Sequence, residues 1–516
     1  MTSRERALLA VTVTLAGAVV LILEILGSRL MAPIYGTTLF VWSSLISVTM
    51  LALAIGYAVG GRLADRFAPL ALLYRFLAVA GWLVLLIPVV RAPILTGSLN
   101  LGISLGGLVA AFLLLVPSLV FLGCVAPLAA KSFVGGMAEL GGGVGILYAL
   151  STVGSLIGAI AAGFLLIPFM GVTKVLYFSA LLLFIPAGIF WQSRAPGGGR
   201  RIWRIACVAG ILVCLAGFFR TPEFPVSRGG GFQVLYKTDG RYSEVKVVQR
   251  GSIRLLLLDG TLQTAQEQST HLPLFPYAPA LQGLLFGAMP EAHDILLIGF
   301  GGGTLAESMA EAGARVQSVE IDPAVIRVAM NFFVKRGDLP VYLEDGRTFL
   351  ERIKPASFDA IVVDAYAGEA PPPHLLTAEF YALVRRALRP GGVGVANLIS
   401  YGKGKEARLA RCAGRTIGAV FPWVEAYAVD DTDMPTNVLF VFGDKSRRLA
   451  SLAPVRMLST NKEFLKGFLS RRVELAGADG FAFTDEFIPA ERFSLAARQA
   501  MRRHLVQLFT PWVLLE

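Results

Sequence analysis

The chain has 516 residues, of which 55% are hydrophobic and only 16% charged, with a formal net charge of +11 at pH 7. Soluble domains average about a quarter charged residues, so the composition excludes a wholly soluble protein of ordinary make-up. The charge is split unevenly. Residues 1–220 carry 14 Lys/Arg against 4 Asp/Glu, a net of +10, whereas residues 221–516 carry 33 against 32, a net of +1. The basic excess therefore flanks apolar segments, where positive-inside loops place it, and it supplies no footprint for nucleic acid. Four cysteines and four histidines lie scattered, without the clustered spacing of a disulfide framework or a metal site.

Seven stretches are apolar and long enough to span a bilayer: 8–27, 39–61, 70–90, 103–130, 143–168, 173–191 and 202–219. The first begins behind Arg4 and Arg6 and runs past any small-residue cleavage site, so it reads as a retained membrane helix. Gly60–Arg66 reads as a tight charged turn between the second and third. Gly154, Ser155, Gly158, Ala159 and Gly163 permit close helix packing, and Pro117, Pro168 and Pro186 are expected to kink or end helices. Glu24 stands inside an apolar run, where an ionisable group needs a partner; Arg29 or Arg62 is the expected one. Loop charges favour an inside N-terminus, which after seven crossings would leave the second half outside. Against that count, the second half is assigned to the cytoplasmic side and the protein to the cell membrane, multi-pass.

Residues 221–231, with Pro222, Pro225 and three glycines, read as a linker. Glu244–Gln249 and Ile253–Leu258, joined at Arg250-Gly251-Ser252, form a predicted β-hairpin, the small β part over 232–285. From 286 to 445 strands alternate with helices: strands Asp294–Ile298, Arg315–Val319, Val341–Leu343, Phe358–Val363 and Val393–Ile399, helices Thr304–Ala312, Pro323–Phe333 and Glu379–Leu388. This is a doubly wound α/β, Rossmann-like pattern, whose ligands bind at the carboxyl ends of the strands. Residues 446–516 read as a C-terminal helical segment with basic pairs, Arg447-Arg448, Arg471-Arg472 and Arg502-Arg503, on solvated faces or against lipid headgroups.

The candidate contacts all fall at strand ends. Gly299, Gly301, Gly302 and Gly303 make a turn that lets a ligand approach the backbone at a helix N-terminus. Glu320, 21 residues after Gly299, is spaced to accept from ribose hydroxyls. Asp345, with Gly346, is placed for an exocyclic amine of adenine. No P-loop lysine is present, which favours S-adenosylmethionine or a relative over a nucleoside triphosphate.

Gly240-Arg241-Tyr242-Ser243-Glu244-Val245-Lys246-Val247, Leu258-Asp259-Gly260, Gln263, Gly301–Gly303, Glu320-Ile321-Asp322, Asp345-Gly346 and Val363-Asp364 together resemble the spermidine synthase family over about residues 232–445. His271-Leu272, Phe275-Pro276-Tyr277 and Pro373–Phe380 resemble its membrane-fused subgroup, as does the block from Glu24 to Arg66. The resemblance implies Glu320 on ribose, Asp345 on adenine, Asp364 at the reacting centre with Tyr366 positioning the amine, and Gln263 with Tyr242 on the substrate side. It implies a homodimer, a small amine as acceptor, and no tightly bound cofactor or metal: S-adenosylmethionine or its decarboxylated form is a co-substrate. A primary amine arrives protonated, with a pKa near 10.4, so a carboxylate such as Asp364 is suited to take its proton.

The departures are as telling. The paired acids expected after Gln263 are missing, with only Glu267 acidic, and Asp364 is followed by Ala365 and Tyr366. Glu369 or Asp430–Asp433 is the candidate replacement, and His271 and Tyr277 the candidates for an altered pocket. Two further readings remain open: intramolecular cleavage of S-adenosylmethionine to methylthioadenosine, and a transporter or sensor whose soluble half only binds the nucleoside.

Overall fold

The computed structural model describes residues 2–36, 39–133, 140–193, 198–219, 226–228, 231–366, 368, 370–447, 449, 451–477, 479–509 and 511–515. The chain divides into two compact units, residues 1–223 with 514–516, and residues 224–513.

The first unit is helical: α1 (Ser3–Tyr35), α2 (Leu39–Arg66), α3 (Pro69–Ser98), α4 (Ile103–Gly123), α5 (Val125–Phe133), α6 (Leu140–Ala161), α7 (Ile167–Gln192) and α8 (Gly198–Phe219). Among the described residues, six helical stretches are long and apolar enough to cross a membrane. One runs for 52 residues from Gly141 to Gln192, about twice what a bilayer needs. It is broken where Gly171 takes φ +75°, just after Pro168 and a π-helical turn over 162–166. A proline lacks the N–H its helix would use, and the widened turn absorbs the defect.

Small residues set the packing of α1 on α6. A Cβ on Gly17 would strike the Ser151 carbonyl, and one on Gly154 or Gly158 would strike the carbonyl of Thr14 or Ala18. Ser155 Oγ donates to the Gly17 carbonyl at 3.0 Å across the same seam. Two expectations need correction. Gly60–Arg66 is not a turn, since α2 continues through Arg66, where Asp65 pairs with Lys131 at 2.9 Å. Arg91 is buried in α3 and donates to the carbonyls of Leu30 and Leu515, both at 3.0 Å. Glu24 has Thr49 of α2 as its neighbour.

The second unit begins with a five-stranded antiparallel sheet, β1 (Val226–Arg228), β2 (Phe232–Asp239), β3 (Glu244–Arg250), β4 (Ile253–Leu258) and β5 (Thr261–Glu267), in sequential order. The predicted hairpin is β3–β4, but the small β part is larger than a hairpin. Part of the predicted linker is strand β1, paired with β2; residues 221–225 and 229–230 lie outside the described residues.

Next come α9 (Tyr277–Ala288), β6 (Asp294–Ile298), α10 (Thr304–Glu311), β7 (Arg315–Glu320), α11 (Pro323–Phe332), β8 (Val341–Leu343), α12 (Gly346–Arg352), β9 (Phe358–Val363), α13 (Ala378–Ala387), β10 (Leu388–Ser400), α14 (Arg408–Gly418), β11 (Trp423–Ala428) and β12 (Thr436–Gly443). The seven strands order as β11-β12-β10-β9-β6-β7-β8. β8, β7, β6, β9 and β10 run parallel, and the β11–β12 hairpin adds two antiparallel strands at the β10 edge. The doubly wound sheet expected from the alternation is present. Its central strands are apolar over 295–298 and 360–363 because both faces are covered there: Leu296, Ile361 and Val362 are fully buried.

The C-terminal segment is less helical than expected. Among the described residues, α15 (Ser459–Phe464), a 3₁₀ turn (Phe468–Ser470), α16 (Ala490–Leu508) and α17 (Pro511–Leu515) interrupt largely irregular chain. Some of its arginines turn inward. Arg447 donates to the carbonyls of Ala288 and Gly391, both at 2.6 Å, and Arg472 pairs with Glu425 at 3.0 Å. Arg502 is buried, donating to the Asp259 carbonyl at 3.2 Å and to Thr261 Oγ1 at 3.0 Å. Arg447 and Arg502 thus lose the solvated or lipid-facing role, whereas Arg472 and Arg503 are exposed as expected; Arg448 lies outside the described residues.

Candidate active site

The carboxyl ends of β6 and β9 are pressed together by a glycine. Gly299 has φ +95°, and a Cβ there would run into the Asp364 carbonyl. Asp364 N donates to the Ile298 carbonyl at 2.9 Å, which closes the same corner. The loop continues through Gly301 (φ +52°) and Gly303 (φ +73°), left-handed positions that favour glycine, and α10 starts at Thr304.

Glu320, at the end of β7, holds this loop from the side. Its Oε2 accepts from Phe300 N at 3.1 Å and its Oε1 from Asp322 N at 3.0 Å. Burial raises its pKa above the usual glutamate value, and those N–H donors oppose the rise. A carboxylate offers about four acceptor sites, so two backbone donors leave capacity for ligand hydroxyls.

Asp345 is the N-cap of α12. Its Oδ1 accepts from Arg347 N and Thr348 N, each at 3.0 Å, and its Oδ2 meets His374 Nε2 at 2.9 Å. Burial works to raise its pKa, but the Thr348 N–H and His374 prevail and hold it below the usual aspartate value. Gly346 is the first residue of α12, where a Cβ would collide with Ile298.

Asp364 sits just past β9. Asn397 Nδ2, from β10, donates to its Oδ1 at 2.8 Å, and Asn437 Nδ2, from β12, donates to Asn397 Oδ1 at 3.0 Å. The hydroxyl of Tyr277, at the start of α9, lies beside the same carboxylate. Burial pushes the Asp364 pKa up, against the Asn397 and Tyr277 donors that lower it. A carboxyl with a raised pKa beside hydrogen-bond donors is the makeup of a general base. Tyr366 is committed to the backbone: its hydroxyl donates to the Asn397 carbonyl at 3.1 Å and accepts from Ile399 N at 2.9 Å. It fixes the loop after β9.

The small sheet closes over these loops through β5. Gln263 Nε2 donates to the Gly368 carbonyl at 3.0 Å, and Thr264 Oγ1 accepts from Gly302 N at 3.0 Å. Gly299, Gly301–Gly303, Glu320, Gln263, Asp364, Tyr366 and Tyr277 are thus linked through neighbouring strand ends. Other candidates stand apart from that group. His271, at φ +58°, turns to the Phe333 carbonyl at 3.4 Å. Tyr242 is exposed on the β2–β3 turn, which the Ser243 hydroxyl ties to Asp322 at 3.2 Å. Glu369 lies outside the described residues. Asp431 and Asp433 face Lys403 at 3.6 and 3.4 Å. A groove of about 600 Å³ lined by Gln282, Ser308, Glu311 and Arg456 lies by His293, at the amino end of β6, away from these strand ends.

Sequence reasoning missed Asn397, Asn437, His374 and Thr264. A polar residue interrupting the apolar run of strand β10 near its carboxyl end was a readable signal for Asn397. The His374–Asp345 contact joins residues 29 apart and has no local signature.

Residues 265–427 match the family model of the spermine/spermidine synthase domain. A polyamine aminopropyltransferase of Mycobacterium tuberculosis is 29% identical over 311 residues, covering 56% of this chain and 56% of that protein. One from Vibrio vulnificus is 32% identical over 187 residues, covering 34% of this chain and 62% of that protein. The chain thus spans between half and two thirds of the length of these curated relatives, whose names place them among the aminopropyltransferases. The crystal structure of a probable spermidine synthase from Corynebacterium glutamicum aligns with 21% identity and a TM-score of 0.38, over 51% of this chain and 94% of that one.

Proposed function

We propose that the α/β unit is an enzyme of the aminopropyltransferase class that binds S-adenosylmethionine or its decarboxylated form and releases methylthioadenosine. The observation that carries this reading is Asp364. It is a desolvated carboxyl held by Asn397 and Tyr277, next to the glycine loop that Glu320 supports. In this reading Glu320 takes the ribose hydroxyls and Asp345 the adenine amine, with His374 fixing the Asp345 rotamer. Asp364 removes a proton from the attacking amine while the thioether leaves without needing an acid. Relatives named polyamine aminopropyltransferase support the class.

A second reading, cleavage of the co-substrate without an acceptor, is favoured by the segment after Gln263. Thr264 is used on Gly302, Gln266 Nε2 is buried on the carbonyls of His271 and Phe333, and Glu267 Oε2 accepts from its own loop at Ser269 and Thr270. None of these offers an acid to a distant ammonium. The first unit is read as crossing the cell membrane seven times, with the break at Gly171 as a turn within the 52-residue stretch, and the catalytic unit as cytoplasmic and dimeric. Incubating the detergent-solubilised protein with either co-substrate, with and without putrescine, separates the two enzymatic readings. Methylthioadenosine formed only with the amine supports transfer, and methylthioadenosine formed without it supports cleavage.

A further inference from the structure

Asn397 and Asn437 share one face of the β10–β12 pair. In that antiparallel register Asn397 lies opposite Leu439 and Ile399 opposite Asn437, so the two amides are diagonal neighbours. Asn437 Nδ2 donates to Asn397 Oδ1 at 3.0 Å, and Asn397 Nδ2 donates to Asp364 Oδ1 at 2.8 Å. Asn397 is buried, and its backbone carbonyl takes the Tyr366 hydroxyl at 3.1 Å. The main chain of Asn437 is held as well, its carbonyl accepting from Val429 N at 2.9 Å.

An asparagine amide has an oxygen that only accepts and an NH₂ that only donates, and half a turn about its last bond exchanges the two with little change of shape. The direction of Asn397 therefore decides what Asp364 meets. With its NH₂ inward it supports the carboxylate; with its oxygen inward it would accept from the protonated acid and favour that form instead. Asn437 sets the choice, because its own NH₂ needs an acceptor at the outer end of Asn397, and only the oxygen provides one. Ionisable neighbours of the carboxylate are phenols: Tyr277 of α9 and, on its own loop, Tyr366, which Tyr381 of α13 adjoins. Burial holds Tyr277 and Tyr366 well above the usual tyrosine range, so both stay neutral where a carboxyl titrates. On the β11–β12 hairpin the acid beside Asn437 is Asp430, tied there by its N–H on Thr436 Oγ1 at 3.1 Å.

We propose that Asn437 is a positioning residue for the reaction: it holds the Asn397 amide with its NH₂ toward Asp364 and so keeps that carboxylate free to take the proton. This rests on the reading of Asp364 as the base given above.

The test reads the Asp364 carboxyl directly, by infrared pH-difference spectra of the full chain in detergent; the carboxyl band absent from Asp364→Asn identifies it. Asn437→Asp puts an acceptor where the donor was and turns Asn397 round. The expected effect is a rise of the Asp364 midpoint by about one pH unit or more, with KM within twofold. The acid limb of the pH profile of methylthioadenosine release moves up with it. The new charge also acts through space, and the same substitution in an Asn397→Leu background, which has no amide to turn, isolates that part; there the rise is less than half as large. Asn437→Leu, which adds no charge, gives a smaller rise that vanishes in the Asn397→Leu background, and it decides the matter if a melting curve shows that Asn437→Asp does not fold. A midpoint unmoved by both substitutions, or moved equally in both backgrounds, overturns the proposal. Wild type that releases no methylthioadenosine overturns the reading of the reaction instead, a distinct outcome because the infrared midpoint is read without turnover.

Discussion

Glu320→Gln removes a charge while keeping size and shape, and the geometry around the side chain sets the consequence. Both carboxylate oxygens are in use, Oε2 on Phe300 N–H and Oε1 on Asp322 N–H. An amide has one oxygen, so it can satisfy only one of these donors; its NH₂ group then faces the other. Hydrogen bonds to charged groups contribute about 1.5–3 kcal/mol each. The variant therefore loses roughly that amount from the ordering of the glycine loop, together with an acceptor for the ribose. At about 1.4 kcal/mol per decade, affinity for methylthioadenosine falls roughly 10- to 150-fold. Calorimetric titration at pH 7.5 measures it, with a thermal melt to show that the fold persists. The wild type carries a second signature. Because burial raises the Glu320 pKa, its affinity declines as pH falls through a window above the usual glutamate value, where protonation removes an acceptor. The glutamine variant lacks that decline. Binding by Glu320→Gln within threefold of wild type would refute the assignment.

Four further outcomes are expected. Asp364→Asn lowers methylthioadenosine release by about 10²–10⁴-fold and leaves product binding within threefold. Asp364 must be ionised to act, so wild-type turnover rises with pH through its raised pKa; Asn397→Leu removes a donor that lowers that pKa and moves the rise to higher pH, as a pH–rate profile reports. Gly302→Val weakens nucleoside binding at least tenfold, because even a Cβ would lie 2.7 Å from Thr264 Cγ2 and displace the Thr264–Gly302 hydrogen bond. Gly154→Leu, in the first unit, drives a side chain into the Thr14 carbonyl; overpacking of about 1–3 kcal/mol lowers the melting temperature of the detergent-solubilised protein.

The strand ends carrying Gly299 and Asp364 were legible because the buried parallel strands β6 and β9 read as short apolar runs that stop there. Glycine spacing likewise marked Gly154 and Gly158 as a close-packing face, though not α1 as its partner. What escaped depended on pairing between distant segments. Val438–Phe442 is as apolar as the other strands, yet nothing local says that β12 runs antiparallel to β10 and brings Asn437 to Asn397. Arg502 looks like half of a surface pair in sequence. It is buried because Asp259 and Thr261, more than 240 positions earlier, offer it acceptors. Tyr366 has the residue type of a catalytic phenol, and only the fold shows its hydroxyl spent on β10. The charged run at Gly60–Arg66 read as a turn because charge punctuates apolar sequence, whereas helix α2 simply continues through it.

The most direct test of the central claim is product analysis by mass spectrometry. Wild type and Asp364→Asn are each incubated with S-adenosylmethionine and with decarboxylated S-adenosylmethionine, in the presence and absence of putrescine. The account predicts methylthioadenosine from wild type in at least one of these mixtures and its loss in the variant. Methylthioadenosine in none of them, or equal amounts from both proteins, would contradict it.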